Sequence, residues 1–375
     1  MTPYSRAFAL AVLTTAVFSA CSSGSDEIKI GNINPVTGEA ATFGASSKNG
    51  AILAAEEWNA KGGLLGKKIK LVFSDDKGDP TEGATAFTKA IQQDKVVAVL
   101  GGITSRVALA GAPICQEAKI PLLTPTATNE KVTEAGDYVF RSCFIDSFQG
   151  GVAAKFARGE LKLSRAAVIY DVGSDYSKGL AENFKAAFEA VGGSVSDMEA
   201  HPSGASDFKA QLTKIVQGKP DAIYIPDFYN DVALIAKQAR ELGFKGSFIG
   251  CDGWDSPELV KIAGDSIEGG VFTNHYAKDD TRPVVQEFVK KYVAKFNVEP
   301  DALSVLAYDG ANILFDAIRR AGKTDGAAIR DALAATKLDT VTGSISYDSK
   351  RNPIKSVVMV EIKGGRQVYR ATVNP

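Results

Sequence analysis

The 375-residue chain carries 43 Lys and Arg against 44 Asp and Glu, a formal net charge of −1, with 45% hydrophobic and 23% charged residues. That balance describes a globular chain and gives no field or basic stripe for nucleic acid. Beyond the opening residues no run is long and apolar enough to span a bilayer, and the length suits two domains.

The chain opens MTPYSR, with one positive charge at Arg6, followed by AFALAVLTTAVF and then Phe18-Ser19-Ala20-Cys21. Charge, apolar core and small residues in that order read as a secretory signal. Cysteine directly after Ser-Ala looks like a bacterial lipobox, which makes Cys21 a lipidated mature N-terminus. Phe18 in place of the more usual Leu leaves cleavage without a lipid open. Residues 1–21 are read as signal and lipobox, and 22–27 as a polar tether. Cys115, Cys143 and Cys251 then remain. An odd number leaves at least one unpaired or paired elsewhere. Cys115–Cys143 is one candidate bridge, and three small buried side chains is the other reading.

From Ile28 the chain alternates short apolar runs with amphipathic segments. IKIGNI (28–33) reads as a strand. Ala51, Ala54, Ala55 and Trp58 then recur at helical spacing until Gly62-Gly63. IKLVFSD (69–75), VVAVLGG (96–102) and IPLLTP (120–125) are further strands, with a helix after Pro80. The rhythm resumes in RAAVIYD (165–171), DAIYIPD (221–227), SFIGCDG (247–253) and GGVFTN (269–274). Strands apolar throughout are buried on both faces, as in parallel sheets covered by helices, so the pattern predicts doubly wound α/β lobes. The tail differs: helical patterns over 283–296, 302–320 and 326–335 precede GSISYD, SVVMVEIK and QVYRATV, which alternate like antiparallel strands.

In open α/β sheets ligands bind beyond the carboxyl ends of the strands. Gly-Gly-Ile-Thr-Ser-Arg, ending at Arg106, follows the third strand, and Thr124-Pro125-Thr126-Ala127-Thr128-Asn129 the fourth. Both are rich in hydroxyls and open helices, whose free N–H groups attract anions, so together they suit a carboxylate. Ser105 and Thr128 equally suit ordinary helix N-caps. The later strands are followed by Tyr176, by Phe228 and Tyr229, and by Asp252 and Trp254. An acid among aromatics suits an ammonium with an apolar appendage, although core packing is the commoner fate of aromatics.

The order of these pieces resembles the bacterial periplasmic binding proteins of branched-chain amino acid ABC transporters, the Leu/Ile/Val-binding (type I) group. The resemblance runs from IGNINPVTGEAATFG through NGAILAAEEWNAKGGLLGKKIKLVFSDDKGDP, LGGITSR, LLTPTATN and FRSCFIDSFQG to YDVGSDYSKGLA, and continues to the last strands. It implies two Rossmann-like lobes joined by a three-crossover hinge, 28–145 with 275–347 forming the first and 146–274 with 348–375 the second. The crossings fall near Cys143–Ser147, Asn274–Tyr276 and Tyr347–Arg351. The resemblance further implies that Ser105 holds a ligand carboxylate, that Thr128 contacts the amino acid core, and that Thr126 acts through its carbonyl. Asp252 then faces the ammonium with Asp146 beside it, Tyr176 closes over the ligand, and Phe43 and Phe228 line the side-chain pocket. A disulfide often present in relatives is missing, since Gly78 and Thr104 stand at its positions. Phe43, Phe228 and Trp254 suggest an apolar or aromatic ligand side chain.

The implied partners are a small amino acid and separate permease and ATPase subunits, because no Gly-x-x-x-x-Gly-Lys-Ser/Thr occurs here. No cofactor is implied, and nothing demands a second copy of the chain. An enzyme finds little support. His201 and His275 are the only histidines, neither has metal-ligand spacing, and no Gly-x-Ser-x-Gly elbow is present. His201, before Pro202, reads as a solvated loop residue. IGNINPVTG lacks the dinucleotide fingerprint. A sensor feeding a signalling receptor remains the rival role, and amides, aromatic acids or polyamine-like solutes the rival ligands.

Overall fold

Residues 26–374 are described by a computed structural model. The signal and Cys21 readings fall outside the described residues. Among those residues no helix is long and apolar enough to cross a membrane.

The first sheet comprises β1 (Glu27–Asn34), β2 (Lys68–Asp75), β3 (Ala98–Gly101), β4 (Leu122–Thr124) and β5 (Val139–Arg141). Their order is β2-β1-β3-β4-β5, and every neighbouring pair is parallel. Period-two alternation divides the strands between two cores. Ile30, Leu100, Leu123 and Phe140 pack with Leu314, Phe315 and Ile318 of the helix Ala302–Ala321. Val99, Leu122 and Val139 pack with Phe87, Val107 and Ala112 of the helices Pro80–Gln92 and Ser105–Ala118. The helix Ala41–Ala60 lies against Ala302–Ala321 so closely that a Cβ on Gly50 would stand 2.0 Å from the Ser304 carbonyl. Any side chain at 50 would push the two helices apart.

The second sheet takes β6 (Arg165–Asp171), β7 (Ser194–His201), β8 (Ala222–Ile225), β9 (Ser247–Gly250) and β10 (Val271–Asn274). A small hairpin, β11 (Lys337–Thr340) with β12 (Gly343–Ser346), stands apart. The chain then returns as β13 (Val357–Lys363) and β14 (Arg366–Val373). The order is β14-β13-β10-β9-β8-β6-β7, with β13 and β14 antiparallel and the rest parallel. Val168, Ile169, Tyr224, Ile225, Phe248 and Phe272 are buried within it.

The chain thus passes between the sheets after β5, after β10 and between β12 and β13. Buried Lys355 ties the first and third passages, its ammonium donating to the Ser142 carbonyl at 3.1 Å and to Thr342 Oγ1 at 2.5 Å. Burial pushes that amine down to about 8.

Several expectations change. Strands β5 and β7 were not expected; both are edge strands, one three residues long and the other mostly half-buried, so neither presents a long apolar run. Cys115, Cys143 and Cys251 are all free and buried, so the candidate Cys115–Cys143 bridge is not formed. Trp254 is fully buried, with its ring over Gly250 and its indole N–H donated to the Ile225 carbonyl at 2.9 Å. It belongs to the core and not to a ligand pocket.

His201 is no solvated loop residue. It ends β7, is 1% exposed, and sets Nε2 3.1 Å from Asp227 Oδ2 and Nδ1 3.0 Å from the Pro202 carbonyl. With acceptors on both nitrogens the ring is an imidazolium. Burial alone would lower its pKa, but the Asp227 carboxylate outweighs that and holds it at about 9. A raised folded pKa contributes stability that is complete below the unfolded value near 6.5 and is lost as pH rises through about 9. The wild-type melting temperature should therefore fall more between neutral pH and pH 10 than that of His201→Gln. Parallel melting curves for the two would remove the assignment.

Candidate functional site

Turns that follow the strands of both sheets meet around one hollow of about 30 Å³. Phe43, Ile103, Thr104, Ser105, Thr126 and Leu303 line it from the first sheet's side; Tyr176, Phe228, Asp252 and Gly253 line it from the second. Of the expected residues, Thr128 and Asp146 stand behind this lining, both wholly buried. Ile103, Thr104, Gly253 and Leu303 were not expected. The Gly253 backbone N–H reaches the Tyr176 hydroxyl at 3.0 Å, a contact that only a backbone this close can make.

On the first side the helix Ser105–Ala118 begins after Thr104, which is extended and provides no side-chain cap. The first-turn dipoles therefore point at the hollow without a side-chain acceptor over them, a favourable place for an anion. Ser105 and Thr128 are not helix caps. Ser105 Oγ accepts from the Asn129 N–H at 3.3 Å, and Thr128 lies in the turn after β4. Thr104 Oγ1 is buried with no hydrogen-bond partner among the described residues, and Thr128 Oγ1 turns back toward the Asp146 carboxyl. Thr126 spends its hydroxyl on the Ile103 carbonyl at 2.6 Å. This turn is held from beneath by fully buried Arg141, whose guanidinium donates to the carbonyls of Ala127 and Asn129, each at 2.8 Å.

On the second side Asp252 receives three donors. Oδ1 accepts from the Tyr176 hydroxyl at 2.6 Å and Gln149 Nε2 at 3.1 Å; Oδ2 lies 3.0 Å from His275 Nε2. Burial, only partly offset by Asp252, keeps the His275 pKa below its ordinary value, so the ring is neutral and donates through Nε2. All three donors are uncharged. Gln149 Nε2 also donates to Asp146 Oδ1 at 3.0 Å. Burial, reinforced by the nearby Glu130 and Asp252 charges, drives the Asp146 carboxyl well above the usual carboxylate range, so it stands protonated and neutral. The charge offered to the hollow comes from Asp252.

Aromatic rings close the hollow. Phe43 meets Phe228 edge-on at 5.4 Å and Tyr229 at 5.1 Å, and Phe228 stacks on Tyr176 at 5.3 Å. Polar contacts join the two sides at the rim. Thr42 Oγ1 donates to the Tyr229 hydroxyl at 2.6 Å, Asn230 Nδ2 to the Glu39 carbonyl at 3.0 Å, and Asn129 Nδ2 to the Asp175 carbonyl at 3.0 Å.

A hollow with an anion-attracting helix end on one wall and a carboxylate on the other, set between two parallel-sheet lobes, is the build of a solute-binding protein. The sequence profile of the periplasmic binding protein family matches residues 27–367. The Leu/Ile/Val-binding protein BraC3 of Rhizobium johnstonii is 35% identical over 86% of this chain and 87% of its own. The crystal structure of a leucine-binding protein, LivK, from Thermotoga maritima superposes with a TM-score of 0.89 at 41% identity, covering 93% of this chain and 99% of that one. That of LivJ from Streptococcus pneumoniae, a branched-chain amino acid transporter substrate-binding protein in complex with isoleucine, gives 0.87 at 32% identity, covering 93% and 100%. The chain belongs to the periplasmic binding proteins, among the Leu/Ile/Val-binding proteins that are the substrate-binding components of branched-chain amino acid ABC transporters. Its family works outside the cytoplasm.

Proposed function

We propose that this protein captures an amino acid as its zwitterion between the lobes. The carrying observation is that the Asp252 carboxyl is met only by uncharged donors among the described residues, across a hollow from an uncapped helix end. The ligand ammonium meets Asp252 and its carboxylate meets Ser105 and the N–H groups of the first helical turn, with Thr128 reached from the turn behind them once the lobes part. Thr126 contributes through its backbone, and Asp146 remains neutral support behind Asp252. Phe43, Phe228 and Tyr176 surround the side chain and favour an aliphatic one of modest size. No catalytic step is assigned to these groups.

Lobe boundaries at 28–145 with 275–347, and 146–274 with 348–375, place the two halves of the site on separate bodies. A hollow of about 30 Å³ admits little more than one water. Entry of an amino acid therefore requires the lobes to part and then close on it, because neither lobe satisfies both ends of the zwitterion. The closed form is what a permease and its ATPase subunits would receive. A lipid on Cys21 would hold the protein at the membrane, and the intact mass of the mature chain decides that point.

A thermal-shift screen of the L-amino acids against matched carboxylates and amines tests the reading. Leucine, isoleucine or valine should raise the melting temperature, with stabilisation of about 2.7 kcal/mol at a hundred times the dissociation constant. Small-angle scattering of the same mixtures should show contraction. A shift with benzoate or another plain carboxylate, and none with any amino acid, would overturn the zwitterion assignment.

A further inference from the structure

Behind Asp252, away from the lining of the hollow, stands a side chain that the zwitterion reading does not use. We propose that His275 is a positioning residue for the ligand's ammonium: as an uncharged N–H donor it aims the Asp252 carboxylate while leaving its charge uncancelled, and so sets the preference for an amino acid over a plain carboxylate. The inference rests on the zwitterion reading and adds to it the residue that tunes it.

The geometry is specific. His275 follows β10, on the second passage between the sheets, and its side chain is 1% exposed. Nε2 lies 3.0 Å from Asp252 Oδ2, and buried Nδ1 has no partner. A carboxylate only accepts, so the ring hydrogen sits on Nε2. The ring lies flat on Phe144, centroids 3.6 Å apart at 20°, which fixes its plane. Oδ1 already accepts from Tyr176 and Gln149, whereas Oδ2 accepts from His275 alone. His275 is therefore the group that holds Oδ2 and with it sets the plane of the carboxylate.

Charge is what makes a histidine there consequential. A lysine or arginine in its place would pair with Asp252 and remove the acceptor a cation needs. A proton added to His275 would do the same. The charged groups around the ring are Asp252 from the turn after β9 and Lys355 from the segment before β13. Asp279, Asp280 and Arg282 share the outer hollow that His275 borders, with Tyr369 of β14 opposite. Burial and Lys355 both disfavour the imidazolium, while Asp252 favours it. A bound ammonium would join the first two. Proton and ligand thus compete, and affinity for an amino acid falls as the solution is acidified below the ring's depressed pKa.

The test is calorimetric titration of L-leucine and of its deaminated twin, 4-methylpentanoate, from about pH 8 to about pH 5.5, where both ligands keep their carboxylates ionised. It is run on wild type, His275→Gln and His275→Phe, each of which must first melt cooperatively. Wild type should lose leucine affinity progressively as the pH falls toward the ring's depressed range while 4-methylpentanoate holds or gains. His275→Gln, which keeps an uncharged N–H donor, should retain leucine binding at pH 8 and flatten the profile across the same range. His275→Phe should lose about tenfold for leucine at pH 8 with little change for 4-methylpentanoate. An undiminished acid step in His275→Gln, or equal losses of both ligands in His275→Phe, overturns the assignment to His275 alone. Failure of wild type to bind any L-amino acid overturns the zwitterion reading, and this inference with it.

Discussion

Asp252→Asn should weaken amino acid binding by about a hundredfold to a thousandfold and leave a matched carboxylate almost unaffected. The substitution is isosteric, and an amide oxygen still accepts from Tyr176, so the site keeps its shape. What disappears is the charge facing the ligand's ammonium. A charge-assisted hydrogen bond contributes roughly 1.5–3 kcal/mol, and a buried ammonium left without its partner raises the loss to about 3–4 kcal/mol. The amide oxygen also keeps Gln149, and the new N–H groups face only His275 Nε2, itself a donor, so the ring must turn or change tautomer. Paired titrations with L-leucine and 4-methylpentanoate isolate the charge from these rearrangements. Equal loss for both ligands would mean that Asp252 shapes the cleft and does not read the ammonium.

Arg141→Met acts from below the opposite wall. Its guanidinium donates to the Ala127 and Asn129 carbonyls at 2.8 Å and reaches the Glu130 carbonyl and Thr133 Oγ1 at 3.4 and 3.3 Å. Removing it leaves buried acceptors unpaired, each costing about 1–3 kcal/mol. Burial already disfavours this cation, and its Nε has no partner, so methionine recovers part of that cost. The expected net loss is about 2–4 kcal/mol of stability. Because the turn it holds carries Thr126 and Thr128, ligand affinity should fall as well. Arg141→Lys should fall between the two, since one ammonium cannot span both carbonyls as the planar fork does. An Arg141→Met protein with wild-type melting temperature and affinity would show that the turn holds itself.

The parallel sheets were legible because strands buried on both faces leave continuous apolar runs, as in VVAVLGG and DAIYIPD. Site residues at strand ends were legible for the same topological reason, which is why Ser105, Tyr176 and Asp252 arrive around one hollow. Trp254 misled because an aromatic just past a strand looks alike whether it turns to the cleft or folds back on a glycine such as Gly250. Gln149 and His275 left no signal at all. Polar residues at passages between sheets belong to no hydrophobic period, and only the folded chain brings them to Asp252 from positions 103 and 23 residues away. Asp146 was read beside Asp252 at the ammonium, but its burial, which makes it a neutral acid, depends on packing that sequence does not display.

The three passages between the sheets also bear on how the protein is made. One face of the first sheet, covered early only by the helix Ala41–Ala60, stays incomplete until the helix Ala302–Ala321 is available, and the second sheet lacks an edge until β13 and β14 arrive. Synthesis must therefore run almost to its end before either half can finish its core. For a family that works outside the cytoplasm, such a topology would leave a chain still to be threaded across a membrane with no completed domain to unfold.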